Sequence, residues 1–191
     1  MLGFIWRHCC DLSQWSIKLL YISFVRSHLE YCSPVWNPYY RVDCDLLERV
    51  QKKFLRLIEF KLNRTHHQGD YTWICSYLNI NSLEDRRCMS DICFLHGLIN
   101  GNIDNSLLLS KLTFLIPAAN SRITRSSVTF RISASSTNKT KNHPILRMME
   151  TANHLNKYND FVLFNSGKHE FKRKLKRLFP TYNAYPLKSL Y

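Results

Sequence analysis

The sequence predicts a mainly α-helical protein: a small helical domain opening with an antiparallel helical hairpin, then a basic loop-rich region with at most a short strand, then a basic C-terminal helix. Three observations predict it. Apolar residues recur at helical spacing in several separate stretches. Glycine and proline are scarce, with five and six among 191 residues, which leaves room for long helices. Hydrophobic residues make up 45% of the chain, enough to bury a core.

The first long helix is expected from Ser13, with Ser13 or Gln14 near the cap and Ile17, Leu20, Phe24 and Leu29 as its apolar stripe, widened by Leu19 and Val25. Pro34 and Pro38 end it, because proline has no amide donor and disfavours helix in the residue before it. Val35 and Trp36 between them are expected to fold back as an apolar plug. A second helix starts at Asp43 or Asp45, since Asp45 and Glu48 have the spacing of a capping box. Leu46, Leu47, Val50, Phe54, Leu55, Leu57 and Ile58 follow at helical period, with Arg49, Lys52, Lys53 and Arg56 opposite. A short corner between two helices makes them pack antiparallel.

Residues 63–70 read as a loop. A short helix is expected around Tyr71–Leu78, then one capped by Ser82 with Asp85, its apolar face formed by Leu83, Ile92, Leu95, Leu98 and Ile99 and its stop by Asn100-Gly101. Leu107–Ile116 is an apolar run too short to assign. From Pro117 the composition turns to Ser, Thr, Asn, Arg and Lys, and Val128, Phe130 and Ile132 alternate with polar residues as in a short strand. Residues 134–142 read as a loop. Pro144 suits the first turn of a helix to about Asn156. A final helix runs from about Ser166 to Phe179 with Phe171, Leu175 and Leu178 on one face, stopped by Pro180. The expected divisions are 1–116, helical; 117–143, a basic polar linker; and 144–191, helical and basic.

Charge is distributed unevenly. Residues 1–100 carry 12 Lys and Arg against 10 Asp and Glu, whereas residues 101–191 carry 15 against 4. The basic half is expected to attract a polyanion, most simply nucleic acid; a solubilising tail is the plainer alternative. Lys168, Lys172, Arg173, Lys174, Lys176 and Arg177 crowd the last helix and surround all of it except the apolar stripe. Such a helix docks by its stripe and offers its other faces to phosphates; a merely solvated face and an anionic membrane surface are the rival readings. Arg122, Arg125 and Arg131, with Phe130 beside them, form a second candidate, arginine forks for phosphate and an aromatic for an unpaired base. Lys139, Lys141, His143 and Arg147 extend the basic region.

Other chemistry finds little support. The seven cysteines show no framework spacing and are expected to be reduced thiols. His8-Cys9-Cys10 and His66-His67 with Cys75 lack the second ligand pair that structural zinc requires. No cofactor is expected. Residues 1–20 are interrupted by Arg7, His8, Asp11, Gln14 and Lys18, so neither a signal peptide nor a membrane span is expected. The expected setting is intracellular, nucleus or cytoplasm, and not secreted.

The segment 17–58 resembles the region following the catalytic palm in reverse transcriptases of jockey-like non-LTR retrotransposons. The matching residues are Leu29, Glu30, Tyr31, Ser33, Pro34, Val35, Trp36 and Pro38, then Leu47, Glu48, Arg49, Val50, Gln51, Phe54 and Arg56. Looser likenesses are Leu2-Gly3-Phe4-Ile5 with Arg7, Leu83-Glu84-Asp85-Arg86-Arg87, Thr124-Arg125-Ser126 and Pro144-Ile145-Leu146-Arg147-Met148. The resemblance implies a helical thumb or post-palm region that would contact RNA or an RNA/DNA duplex through its backbone, alongside upstream reverse-transcriptase domains. It does not imply catalysis. Such polymerases hold two metal ions on clustered palm aspartates, and this chain has no Asp-Asp pair. Asp43 and Asp45 are separated by Cys44 and are expected to serve a helix start. The expected protein is a catalytically silent C-terminal fragment of such a reverse transcriptase with residual RNA or DNA backbone binding; the alternatives are a protein-interaction module using apolar surface that a palm would cover, or a non-functional insertion remnant.

Overall fold

The computed structural model describes residues 1–8, 11–62, 71–115, 128–132, 137, 140, 142–156, 163–164 and 166–179. It is mainly α-helical. The described residues divide into two compact units, neither of them continuous in sequence: those within 1–33 and 38–87, with residue 179, form the first, and those within 34–37 and 88–178 the second. Among the described residues no helix is long and apolar enough to cross a membrane.

The first unit opens with α1 (Leu2–His8) and α2 (Gln14–Leu20). Ser13 caps α2, its hydroxyl accepting the Ser16 amide at 3.2 Å. The helix continues without a break through a π-helical stretch, Tyr21–Arg26, into α3 (Ser27–Glu30). That stretch changes which residues face inward. Ile17, Tyr21 and Val25 are buried, while Leu19 and Phe24, expected in the stripe, are exposed. A π turn is wider than an α turn, so residues four apart stay in register across it. Tyr21 also has a reason to be inside: its ring stacks on Phe54 at 4.0 Å and its hydroxyl donates to Gln51 Oε1 at 3.0 Å.

The helix ends at Tyr31 and Cys32, earlier than Pro34, with Cys32 left-handed at φ 55°. After the corner, α5 (Arg41–Lys61) begins two residues before the earlier of its expected starts and without a side-chain cap. Asp45 does not cap it; its carboxylate lies 3.5 Å from Arg41. Glu48 does cap a helix, but a different one, as described below. The hairpin is antiparallel: Trp6 lies near Phe60 at one end and Tyr21 stacks on Phe54 further along. Buried Phe54, Leu55, Leu57 and Ile58 join Ile5, Ile17, Tyr21 and Val25 in one core, which Ile74, Cys75, Leu78 and Ile80 complete. Each large side chain fully buried there contributes about 1.5–3 kcal/mol. Arg49, Lys52, Lys53 and Arg56 face outward, as the periodicity predicts.

Helix α6 (Thr72–Leu78) stops at Asn79, left-handed at φ 51°, where the Ile80 amide returns to the Cys75 carbonyl at 2.8 Å. Helix α7 (Leu83–Ile99) has a double N-terminal cap. Ser82 Oγ accepts the Asp85 amide at 3.0 Å, the predicted box, and Glu48 Oε1 accepts the Glu84 amide at 2.9 Å. Burial from water raises the Glu48 carboxyl above its ordinary range, against the opposing pull of that amide. Arg86 grips Glu30 with both Nε and a terminal nitrogen, the latter at 2.8 Å.

In the second unit α7 ends at Asn100-Gly101, Gly101 taking φ 69°, a left-handed stop that suits glycine. The one-turn helix α8 (Ser106–Leu109) is capped by the Asn105 side chain. Phe114 and Phe130 then form an isolated antiparallel bridge, with Arg131 N donating to Thr113 O at 2.8 Å and Leu115 N to Thr129 O at 2.9 Å. Only Phe130 of the alternating trio is buried; Val128 and Ile132 are exposed. Helix α9 (Pro144–Leu155) carries proline in its first turn, as predicted, and α10 (Lys168–Leu178) closes the described chain.

The corner departs most from expectation. Val35 and Trp36 in the short helix α4 (Ser33–Trp36) are 68% and 40% exposed, so they form no plug. Their backbone is what is held. Arg147 from α9, only 5% exposed, donates to Pro34 O at 2.9 Å and Asn37 O at 3.3 Å, and pairs with Asp91 Oδ2 at 3.0 Å. Asn37 Nδ2 donates to the same Asp91 oxygen at 3.0 Å. Arg147 therefore belongs to the interior and does not extend the exposed basic region.

Candidate nucleic-acid interface

The terminal helix α10 is seated by its apolar stripe. Phe171 and Leu175, four residues apart and so on one face, are both buried, and Leu178 is half-buried. Phe171 stacks on His96 of α7 with ring centres 4.0 Å apart. The His96 Nε2 lies 3.1 Å from Ser166 O, an atom that only accepts, so Nε2 carries the proton. Burial holds the imidazole below its ordinary pKa, only partly opposed by the Ser166 contact. A neutral histidine thus supports the face opposite the charges.

With the stripe docked, Lys168, Lys172, Arg173, Lys176 and Arg177 are exposed. Lys174 differs: its ammonium sits 2.9 Å from Glu170, one turn back. That contact holds the Glu170 carboxyl below its ordinary range. Lys176 and Arg177 lie in the last turn, where cations complement the helix dipole. The arrangement is a cylinder with one apolar side fixed and several cations directed to solvent, able to meet successive phosphates without reading bases.

Of the second candidate set, Arg131 is exposed, its main chain pinned by the Thr113 bridge. Arg122 and Arg125 lie outside the described residues, as do Lys139 and Lys141. Asp43 and Asp45 are both exposed at the start of α5. Among the described residues no three of His, Cys, Asp and Glu come close enough to hold a metal ion; Cys9, Cys10, His66 and His67 are outside that set. A feature not anticipated is a cavity of about 560 Å³ between α1 and α5. It depends on which side of α5 receives α1, which spacing along either helix does not specify.

Comparison with family models, with curated proteins and with solved structures gave no match.

Proposed function

We propose that this chain is a catalytically silent piece of a non-LTR retrotransposon reverse transcriptase, from the thumb side of the palm, that binds RNA or an RNA/DNA duplex through its backbone. The ancestry rests on the Leu29–Pro38 and Leu47–Arg56 phrases. The binding rests on one observation: α10 buries Phe171 and Leu175 and leaves five cations exposed. Lys168, Lys172, Arg173, Lys176 and Arg177 make the main phosphate contacts, with Lys174 weakened by Glu170 and the arginines at 122, 125 and 131 in a secondary role. Catalysis is not assigned to Asp43 and Asp45, because two-metal chemistry needs carboxylates clustered around shared ions and these two lie exposed just inside the start of α5.

Gel-shift titration with duplex and single-stranded RNA over a series of salt concentrations tests the reading. Five engaged cations give a log–log salt slope of about −4.5 on a duplex. Reversing Lys172, Arg173, Lys176 and Arg177 to glutamate should abolish the shift, whereas Lys174→Glu alone should weaken it less. Failure to bind either RNA at low salt rejects the binding, and templated primer extension with added divalent metal rejects the catalytic silence.

A further inference from the structure

We propose that the groove between α1 and α5 is a docking site for an acidic, amphipathic helical segment of a partner protein. One wall is Leu2, Gly3 and Trp6, the other Val50, Lys53 and Arg56. The volume, about 560 Å³, is that of a ligand-sized cleft and admits several large side chains. The accessible lining is almost wholly apolar. Gly3 lines that wall, and a Cβ there would meet no atom within 4 Å, so a larger side chain has space at this position. Trp6 is 47% exposed, and Phe60, 76% exposed, lies 6.5 Å from it and lengthens the apolar floor.

Charge selects the occupant. Arg49, Lys52, Lys53 and Arg56 fall at i, i+3, i+4 and i+7 on the outward face of α5, beside the groove. Arg56 is held in place by its Nε donating to Tyr71 Oη at 2.7 Å. An apolar floor with a cationic border fits a helix that inserts apolar side chains at i, i+3 or i+4 and i+7 and carries carboxylates on its flank. A nucleic acid fits it less well. Its phosphates could reach the border, but the floor exposes almost no polar surface to a base edge and would leave base polar groups unpaired.

The test is fluorescence anisotropy of the full chain with a labelled peptide bearing leucines at those spacings and glutamates elsewhere, beside a scrambled peptide of equal composition. The designed peptide should bind and the scrambled one should not. Gly3→Leu, which adds bulk to the groove wall, and Lys53→Glu, which reverses its border, should each raise the Kd at least about tenfold. Lys53 is exposed, so its variant remains informative if Gly3→Leu fails to fold. Equal binding of the scrambled peptide, unchanged affinity in Lys53→Glu, or displacement of the peptide by single-stranded RNA overturns the proposal. So does self-association that Gly3→Leu abolishes, which would make a second copy the occupant.

Discussion

Replacing Arg147 with methionine removes the cation that holds the corner, while keeping a side chain of comparable length. Asp91, with a side chain only 2% exposed, then keeps Asn37 but loses the charge lying 3.0 Å away. The Pro34 and Asn37 carbonyls lose their guanidinium donors as well. Breaking a buried ion pair by deleting one partner costs about 3–5 kcal/mol. For a chain of this size each kcal/mol lowers the melting temperature by about 2–4 °C, so a fall of about 6–20 °C is expected. Arg147→Lys should lie between, since it preserves charge but not the fork that reaches two carbonyls and a carboxylate. The pairing with Asp91→Leu is diagnostic: removing both charges should recover most of the loss, giving a coupling energy of about 2 kcal/mol or more in a double-mutant cycle. Urea unfolding measures the wild type, the three single variants and the double variant. A loss below about 1 kcal/mol in Arg147→Met, or a double variant no better than the single, refutes the view that the pair anchors the corner.

His96 should make stability fall in mild acid. Its folded pKa is depressed, so nothing is lost above the unfolded value of about 6.5; below it the unfolded chain takes the proton first and stability drops until the depressed pKa is reached. His96→Gln should flatten the part of a urea-midpoint profile below about pH 6.5. Glu48 has the opposite sign: its raised folded pKa means stability declines as pH climbs from about 4.3 toward that value. Glu48→Gln, which keeps an oxygen for the Glu84 amide, should match or exceed the wild type in thermal stability at neutral pH. Glu48→Ala should lose about 0.5–2 kcal/mol. Gly101→Ala forces a β-carbon into a left-handed position and should cost about 1–2 kcal/mol by chemical denaturation.

What the sequence revealed was local. Ser13, the Ser82–Asp85 box, Asn100-Gly101 and Pro144 act within one turn of themselves, so their roles were legible from neighbouring letters. Glu48 was legible as a capping residue but not as a cap on a helix 36 residues later, because that requires α5 to lie beside the start of α7. In the first helix Ile17 and Val25 are buried as expected and Leu20 and Leu29 pack against the core, but Tyr21 takes the inward place and Phe24 and Leu19 face solvent, because a π stretch breaks the α period there. Trp36 was expected inside on hydrophobicity alone, whereas the corner is fixed through carbonyl oxygens that no side-chain pattern displays. The cationic surround of α10 followed from its 100° spacing. The quenching of Lys174 by Glu170 is an i, i+4 relation that the letters also display.

The corner clamp joins atoms 110 and 113 residues apart in the chain. Closing so long a loop costs only logarithmically more than closing a short one, so the penalty in equilibrium stability is modest. The penalty in time is larger, because contacts this distant in sequence form late. During synthesis Pro34 and Asn37 leave the ribosome long before Arg147 exists, and their carbonyls must meanwhile be served by water. A chain interrupted before Pro144 would leave Asp91 without its arginine. The opening hairpin can gather its own core from nearby residues, but the turn that joins its helices waits for a distant residue.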